Sequence, residues 1–166
     1  MIQIFQIMCY VKPMTTHEHI LIVGDEPALI EEIKGLAHKQ PRVVLIAETI
    51  SSALAAAKDK PVDLVVIDAD AVRGKDGEHL NDVLKEWPGA LMLLVKGLVS
   101  EKEQTPELTV DIHGYIRKPF GTEEIRKTID NALAYKQLLH AHKKSEIALL
   151  ESKGRLANLV VNALVG

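Results

Sequence analysis

The stretch Asp63-Leu64-Val65-Val66-Ile67-Asp68-Ala69-Asp70 decides how the rest of the chain is read. Four aliphatic residues stand in a row, three of them β-branched, with no polar residue between them. An unbroken apolar run of this length marks a strand covered on both faces. The run stops at Asp68, which would sit at the rim of the sheet. A carboxylate left unpaired there is costly, so Asp68 calls for a partner.

Working outward, five apolar runs of strand length recur every 20–28 residues or so: 20–23, 43–47, 64–67, 90–95 and 114–116. The middle three are nearly continuous in apolar residues, as for strands with both faces buried. Helical spacing fills the gaps. Leu29, Ile33, Leu36 and Ala37 fall on one face, as do Ile50, Ala53, Leu54 and Ala57. Leu80, Val83, Leu84 and Trp87 repeat the pattern, and Ile125, Ile129, Ala132 and Leu133 close it. Each set is one apolar stripe that needs a sheet to cover it. Strands alternating with such helices predict a parallel sheet with right-handed crossovers. Residues 99–111, with Pro106 and scattered charges, leave room only for a short helix.

The chain has 166 residues, 47% apolar and 26% charged, which is globular usage. Its formal charge of −3 is uneven. Residues 1–135 hold 15 Lys/Arg against 21 Asp/Glu, and residues 136–166 hold 5 against 2. An acidic body and a sparse basic tail predict no nucleic-acid partner and no membrane patch. A single cysteine, Cys9, excludes an intramolecular disulfide framework and fits a cytoplasmic setting. No run reaches the roughly 18–20 apolar residues that span a bilayer, so no membrane insertion is expected. Residues 1–16 read as an N-terminal extension. Met1–Pro13 lacks a basic start and a cleavage site, so no signal peptide is expected, and Met14 offers a second start. An extra surface strand or helix is the alternative for this segment.

In an open α/β sheet, chemistry gathers outside the carboxyl ends of the strands. Gly24, Asp25 and Glu26 follow the first run, and Asp68 and Asp70 follow the third. Lys96 follows the fourth, and the fifth leads to Lys118, Pro119 and Phe120. Carboxylates and a lysine on neighbouring strand ends suit a hard cation beside an anionic group. Magnesium is commonly held by one or two carboxylates plus phosphate oxygens, and lysine acts on phosphate as a point charge.

Three blocks carry a family resemblance: Ile20-Leu21-Ile22-Val23-Gly24-Asp25-Glu26-Pro27, Asp63-Leu64-Val65-Val66-Ile67-Asp68 and Gly114-Tyr115-Ile116-Arg117-Lys118-Pro119-Phe120. In that order and spacing, residues 20–139 resemble a response-regulator receiver domain, the phospho-acceptor module of two-component signalling, with the domain read over residues 17–135. The resemblance implies a flavodoxin-like (βα)5 doubly wound parallel sheet of strand order 2-1-3-4-5, here with an extended C-terminal helix. It implies a signalling module rather than an enzyme, taking a phosphoryl group from a histidine kinase or phosphotransfer protein and relaying the signal to a C-terminal partner domain. Asp68 would be the phosphoryl acceptor, Asp25 a Mg2+ ligand and Lys118 the partner of the phosphoryl group. Asp70 would lend its backbone carbonyl to the metal, and Tyr115 matches the aromatic switch position. The Lys118–Pro119 bond is cis in most of the family.

Three positions depart from the family pattern. Gly24 stands where the first of two adjacent acids is usual. Val95 or Lys96, depending on a one-residue ambiguity, stands where a Thr or Ser hydroxyl is usual. The loop from Asp68 to Gly77 is one residue longer than usual and has Val72 where proline is common. These keep open a second reading, a phosphorylation-independent pseudo-receiver that serves as an interaction or dimerisation module. In a remoter reading, Asp68-Ala69-Asp70 resembles the nucleophile motif of haloacid-dehalogenase-type phosphatases. In that family, however, the motif lies on the first strand with an acidic pair far downstream.

Beyond Leu133 the helical reading continues over residues 135–151, and Gly154 is expected to break it. Leu138, Leu139, Ile147, Leu149, Leu150, Leu156, Leu159 and Val160 repeat loosely at three and four, while a strict heptad would put His142, Glu146 and Lys153 in its seam. Residues 136–166 read as a linker helix whose stripe needs a partner strand, as in a homodimer, or a following domain. Residues 151–166 resemble the opening of a PAS sensor domain, which would place a PAS or kinase region downstream. His140 and His142 read as exposed helix residues, since nothing around them resembles a kinase phosphorylation box.

Overall fold

The structure, a computed structural model, describes residues 17–71, 80–97 and 111–165. The extension with Cys9, the loop carrying Val72, and most of the weak segment 99–111 lie outside these residues.

The β-branched run at residues 64–68 forms the middle of a five-stranded sheet. The strands are β1 (Glu18–Val23), β2 (Arg42–Ala47), β3 (Leu64–Asp68), β4 (Leu91–Lys96) and β5 (Gly114–Arg117). All pair in parallel, in the order β2-β1-β3-β4-β5. This is the flavodoxin-like arrangement expected from the sequence. Between the strands lie α1 (Pro27–Ala37), α2 (Ile50–Ala56) and α3 (Leu80–Glu86), and α4 (Thr122–Val165) follows β5. Local chemistry starts two of these helices. Pro27 occupies the first turn of α1, where its missing N–H is no loss. Thr49 and Ser52 exchange hydrogen bonds in a capping box at the start of α2.

Alternation along the strands builds two cores. Leu21, Val23, Val65, Ile67, Met92 and Leu94 pack with Ile50 and Ala53 of α2 and with Val83 and Trp87. Ile20, Ile22, Leu64, Val66, Leu93, Val95 and Ile116 pack with Leu29 and Ile33 of α1 and Ile125 and Ile129 of α4. Every residue of β3 is buried, as its composition requires. The expectation for β2 needs correction. It lies at the sheet edge, and Val43 and Ile46 are each more than a third exposed. A strand with one neighbour presents its outer margin to solvent even when its sequence is apolar.

Arg42, at the start of β2, ties three elements together. Its Nε donates to Glu18 Oε2 at 2.7 Å and its Nη2 to Asp130 Oδ1 of α4 at 2.8 Å. Burial alone would lower the guanidinium's pKa, but the two carboxylates outweigh that and hold it above its ordinary value.

The chain divides into two compact units, one over Met14–Ala134 and one that includes Tyr135–Gly166. The break expected at Gly154 does not occur: α4 is continuous through it to Val165. A glycine in a helix costs only about 1 kcal/mol relative to alanine. Lys153, Arg155, Leu156 and Ala157 are all good helix formers, and they absorb it. Among the described residues, no helix is long and apolar enough to cross a membrane.

Candidate functional site

β3 ends on Asp68, and the fold encloses it almost completely, leaving 3% of the residue exposed. Both carboxylate oxygens are engaged. Oδ1 accepts the backbone N–H of Asp70 at 3.0 Å, and Oδ2 accepts Lys118 Nζ at 2.7 Å. The partner that the sequence demanded therefore comes from 50 residues downstream, just past the end of β5. The Lys118 backbone is anchored too, its N–H donating to Lys96 O at 2.8 Å, and the Lys118–Pro119 bond is cis.

Lys118 serves more than one acid. Its ammonium lies 3.2 Å from Glu26 Oε2 and 3.6 Å from Asp70 Oδ2. Burial alone would lower the Lys118 pKa. Hydrogen bonding and charge attraction, first from Asp68 and then from Glu26, overcome it and raise the pKa above the ordinary lysine value. Sequence reasoning placed Glu26 at the rim without a role. Its bond to Lys118 joins residues 92 apart, and no local pattern signals such a pair.

Gly24 explains itself in three dimensions. Its φ is +145°, a conformation that side chains disfavour, and its N–H is bound to Ala47 O at 2.8 Å. A Cβ built there would lie 2.8 Å from the Cβ of Asp68. The missing acid is thus not a simple deletion, because the backbone itself closes onto Asp68. Asp25, next along the chain, is exposed and makes no ion pair among the described residues.

Val95 pairs in register with Asp68, is fully buried and belongs to the core. Its neighbour Lys96 lies at the rim, with its ammonium 4.2 Å from the centroid of the Tyr115 ring. Tyr115 itself is half exposed. The structure therefore joins Asp68, Lys118, Glu26 and Asp70 in one cluster, and joins Lys96 with Tyr115 beside it.

The donors at this rim are hard oxygens, the chemistry Mg2+ prefers. Among the described residues, no three acidic, His or Cys side chains converge as a ready-made metal cage. Magnesium does not require one, since it keeps several waters and uses one or two carboxylates.

The family model for the response regulator receiver domain matches residues 20–130. The chain belongs to that family. Receiver domains are signalling modules of two-component systems, and the match includes the strand that carries Asp68. Similar proteins include the KDP operon transcriptional regulatory protein KdpE of Escherichia coli, 26% identical over 115 residues, which are 69% of this chain and 51% of the relative. The sensory transduction protein LytT of Enterococcus faecalis is 30% identical over 116 residues, 69% of this chain and 47% of its own length. The chain thus aligns with about half the length of these curated relatives. Among solved structures, a CheY-like response regulator receiver domain from Methanospirillum hungatei superposes with a TM-score of 0.60 at 25% identity, covering 72% of this chain and 96% of that one. A signal receiver domain of an HD domain-containing protein from Pseudomonas fluorescens gives 0.63 at 19% identity, covering 79% and 97%, and shows the shared fold.

Proposed function

We propose that this receiver domain accepts a phosphoryl group on Asp68 and passes the signal on through its C-terminal helix. The observation that carries the reading is the buried Asp68 carboxylate held 2.7 Å from the Lys118 ammonium at the end of the central strand. In the transfer, a carboxylate oxygen of Asp68 attacks phosphorus. The P–N bond of a phosphohistidine donor breaks, and its electron pair returns to the donor imidazole as the acyl O–P bond forms. Lys118 stays beside the carboxylate and balances charge on the phosphoryl oxygens, in a part-buried site where such attraction is stronger than in water. Asp25, Asp68 and the backbone carbonyl of Asp70 are the residues that would hold Mg2+. When bound, the ion draws together the negative charges of carboxylate and phosphoryl group.

The phosphoryl donor is a histidine kinase or phosphotransfer protein, and the resemblance of residues 151–166 to the opening of a PAS domain supports a PAS or kinase region as the partner reached through a linker helix over residues 136–166. Tyr135, Leu138, Leu149, Leu150, Leu156 and Leu159 are exposed along that helix and suit a homodimer seam. A lone cysteine, Cys9, suits a cytoplasmic protein. Gly24 favours the second reading, a pseudo-receiver without phosphorylation, because it takes one acid from the site. Incubation with Mg2+ and acetyl phosphate separates the two. The first reading expects a mass gain of one phosphoryl group that Asp68→Asn abolishes, and the second expects none.

A further inference from the structure

We propose that Lys96 is a second cationic ligand for the anion formed on Asp68, held until then over the Tyr115 ring. The inference rests on the phospho-acceptor reading above and adds a residue to it. Lysine has no hydroxyl to hydrogen-bond a phosphoryl group, and Lys96 is, with Val95, one of the two residues at the place where the family resemblance puts one. Three observations give it a role of its own.

The first is position. Lys96 is the last residue of β4 and follows Val95, the register partner of Asp68, while Ala69 N–H binds Val95 O at 2.9 Å. Neighbouring strands lie about 4.8 Å apart, so the four-carbon stem is rooted one strand from the acceptor. It starts at the rim, beyond which the sheet no longer separates its two faces.

The second is charge. Lys118 already faces Glu26, Asp68 and Asp70. A phosphoryl group adds negative charge to a cluster in which one ammonium meets three carboxylates. Lys96 makes no ion pair among the described residues.

The third is how Lys96 is held. A cation over an exposed aromatic face gains less than a hydrogen bond to a charged group gains. The ring therefore keeps Lys96 at the rim without competing with a phosphoryl oxygen. When the ammonium turns to the anion, Tyr115 loses its cation and its ring is free to move. Lys96 thus couples the acceptor to the aromatic residue.

Beryllofluoride, a phosphoryl mimic, tests this on the full chain with Mg2+. Its dissociation constant is measured by fluorine NMR, and the Tyr115 ring protons are followed in the same samples. Wild type is expected to bind and Asp68→Asn is not. Lys96→Met should weaken binding by about 10-fold or more, and Lys96→Arg by less than about 3-fold. Tyr115→Leu, which frees the ammonium, should tighten binding by about 3-fold, whereas Tyr115→Phe should leave it unchanged. The gain in Tyr115→Leu is a sign that loss of folding cannot imitate. On binding, the Tyr115 ring signals should shift in wild type and stay in place in Lys96→Met. If wild type binds and Lys96→Met binds equally well, the Lys96 proposal is overturned and the acceptor reading stands. If wild type fails to bind, the acceptor reading falls and the Lys96 role falls with it.

Discussion

The sheet and the helix beyond Ala134 are built from the same aliphatic residues with opposite outcomes. Ile20, Leu64, Ile67 and Leu94 are sealed within the fold, whereas Leu138, Leu156 and Leu159 are well exposed and Leu164 is 81% exposed. In the sheet, the inner apolar side chains meet helix stripes of the same chain, so their burial is completed within one molecule. Along residues 135–165 the stripe has the spacing of a packed helix, and its leucines stay exposed among the described residues. Apolar patches of this kind mark interaction sites rather than stability. One region carries the free energy of folding, and the other carries an unmet demand for a partner.

Truncation should break this symmetry most visibly. Ile67→Ala, in a fully buried strand between two helix layers, should cost about 2–5 kcal/mol in urea unfolding. Leu156→Ala should change the same unfolding midpoint by less than about 0.5 kcal/mol and instead weaken self-association in sedimentation. A large stability loss from Leu156→Ala would mean that the helix is covered within its own chain.

At the rim the comparison narrows to one pair. Lys118→Met leaves the Asp68 carboxylate buried beside no ammonium and should cost about 3 kcal/mol, with much of it recovered when Asp68→Asn is added. The pair also sets a pH dependence. The folded-state pKa of Lys118 is raised above its ordinary 10.5. Its stabilisation is therefore fully present below that value and is lost as pH rises through the higher folded value. An alkaline titration should show a stability loss above about pH 10.5 in wild type that is smaller in Lys118→Met.

Much of this was readable in the chain itself. Val65, Val66 and Ile67 announce a buried strand, the stripes of Leu29, Ile33 and Leu36 and of Ile125 and Ile129 announce helices, and the family pattern brings Asp68 and Lys118 together. Through-space relations were not readable. Arg42 finds its carboxylates 24 and 88 residues away, and Glu26 finds Lys118 at 92, distances at which no periodicity operates. β2 reads as a buried strand because its composition does not record its place at the edge. Gly154 reads as a break because a small local cost is visible in sequence while the helix formers around it act cooperatively. Gly24 reads only as an absent acid, and its backbone conformation and contact with Asp68 belong to the fold.

Gly24 supplies the smaller of the two effects expected at the rim. Gly24→Ala should destabilise by about 1–3 kcal/mol, since its φ of +145° disfavours any side chain and the new methyl would press on Asp68. Thermal melting measures it, and an unchanged melt would show that the rim relaxes freely around residue 24.

The central claim is that Asp68 is the residue that takes the phosphoryl group. Borohydride reduction of the chain after exposure to acetyl phosphate and Mg2+, followed by peptide mass mapping, tests it most directly, because an acyl phosphate on aspartate is reduced to homoserine. The account predicts homoserine at position 68 and at no other acidic position. Homoserine at Asp25 or Asp70 instead, or an unmodified residue 68 under conditions that phosphorylate a control receiver, would contradict it.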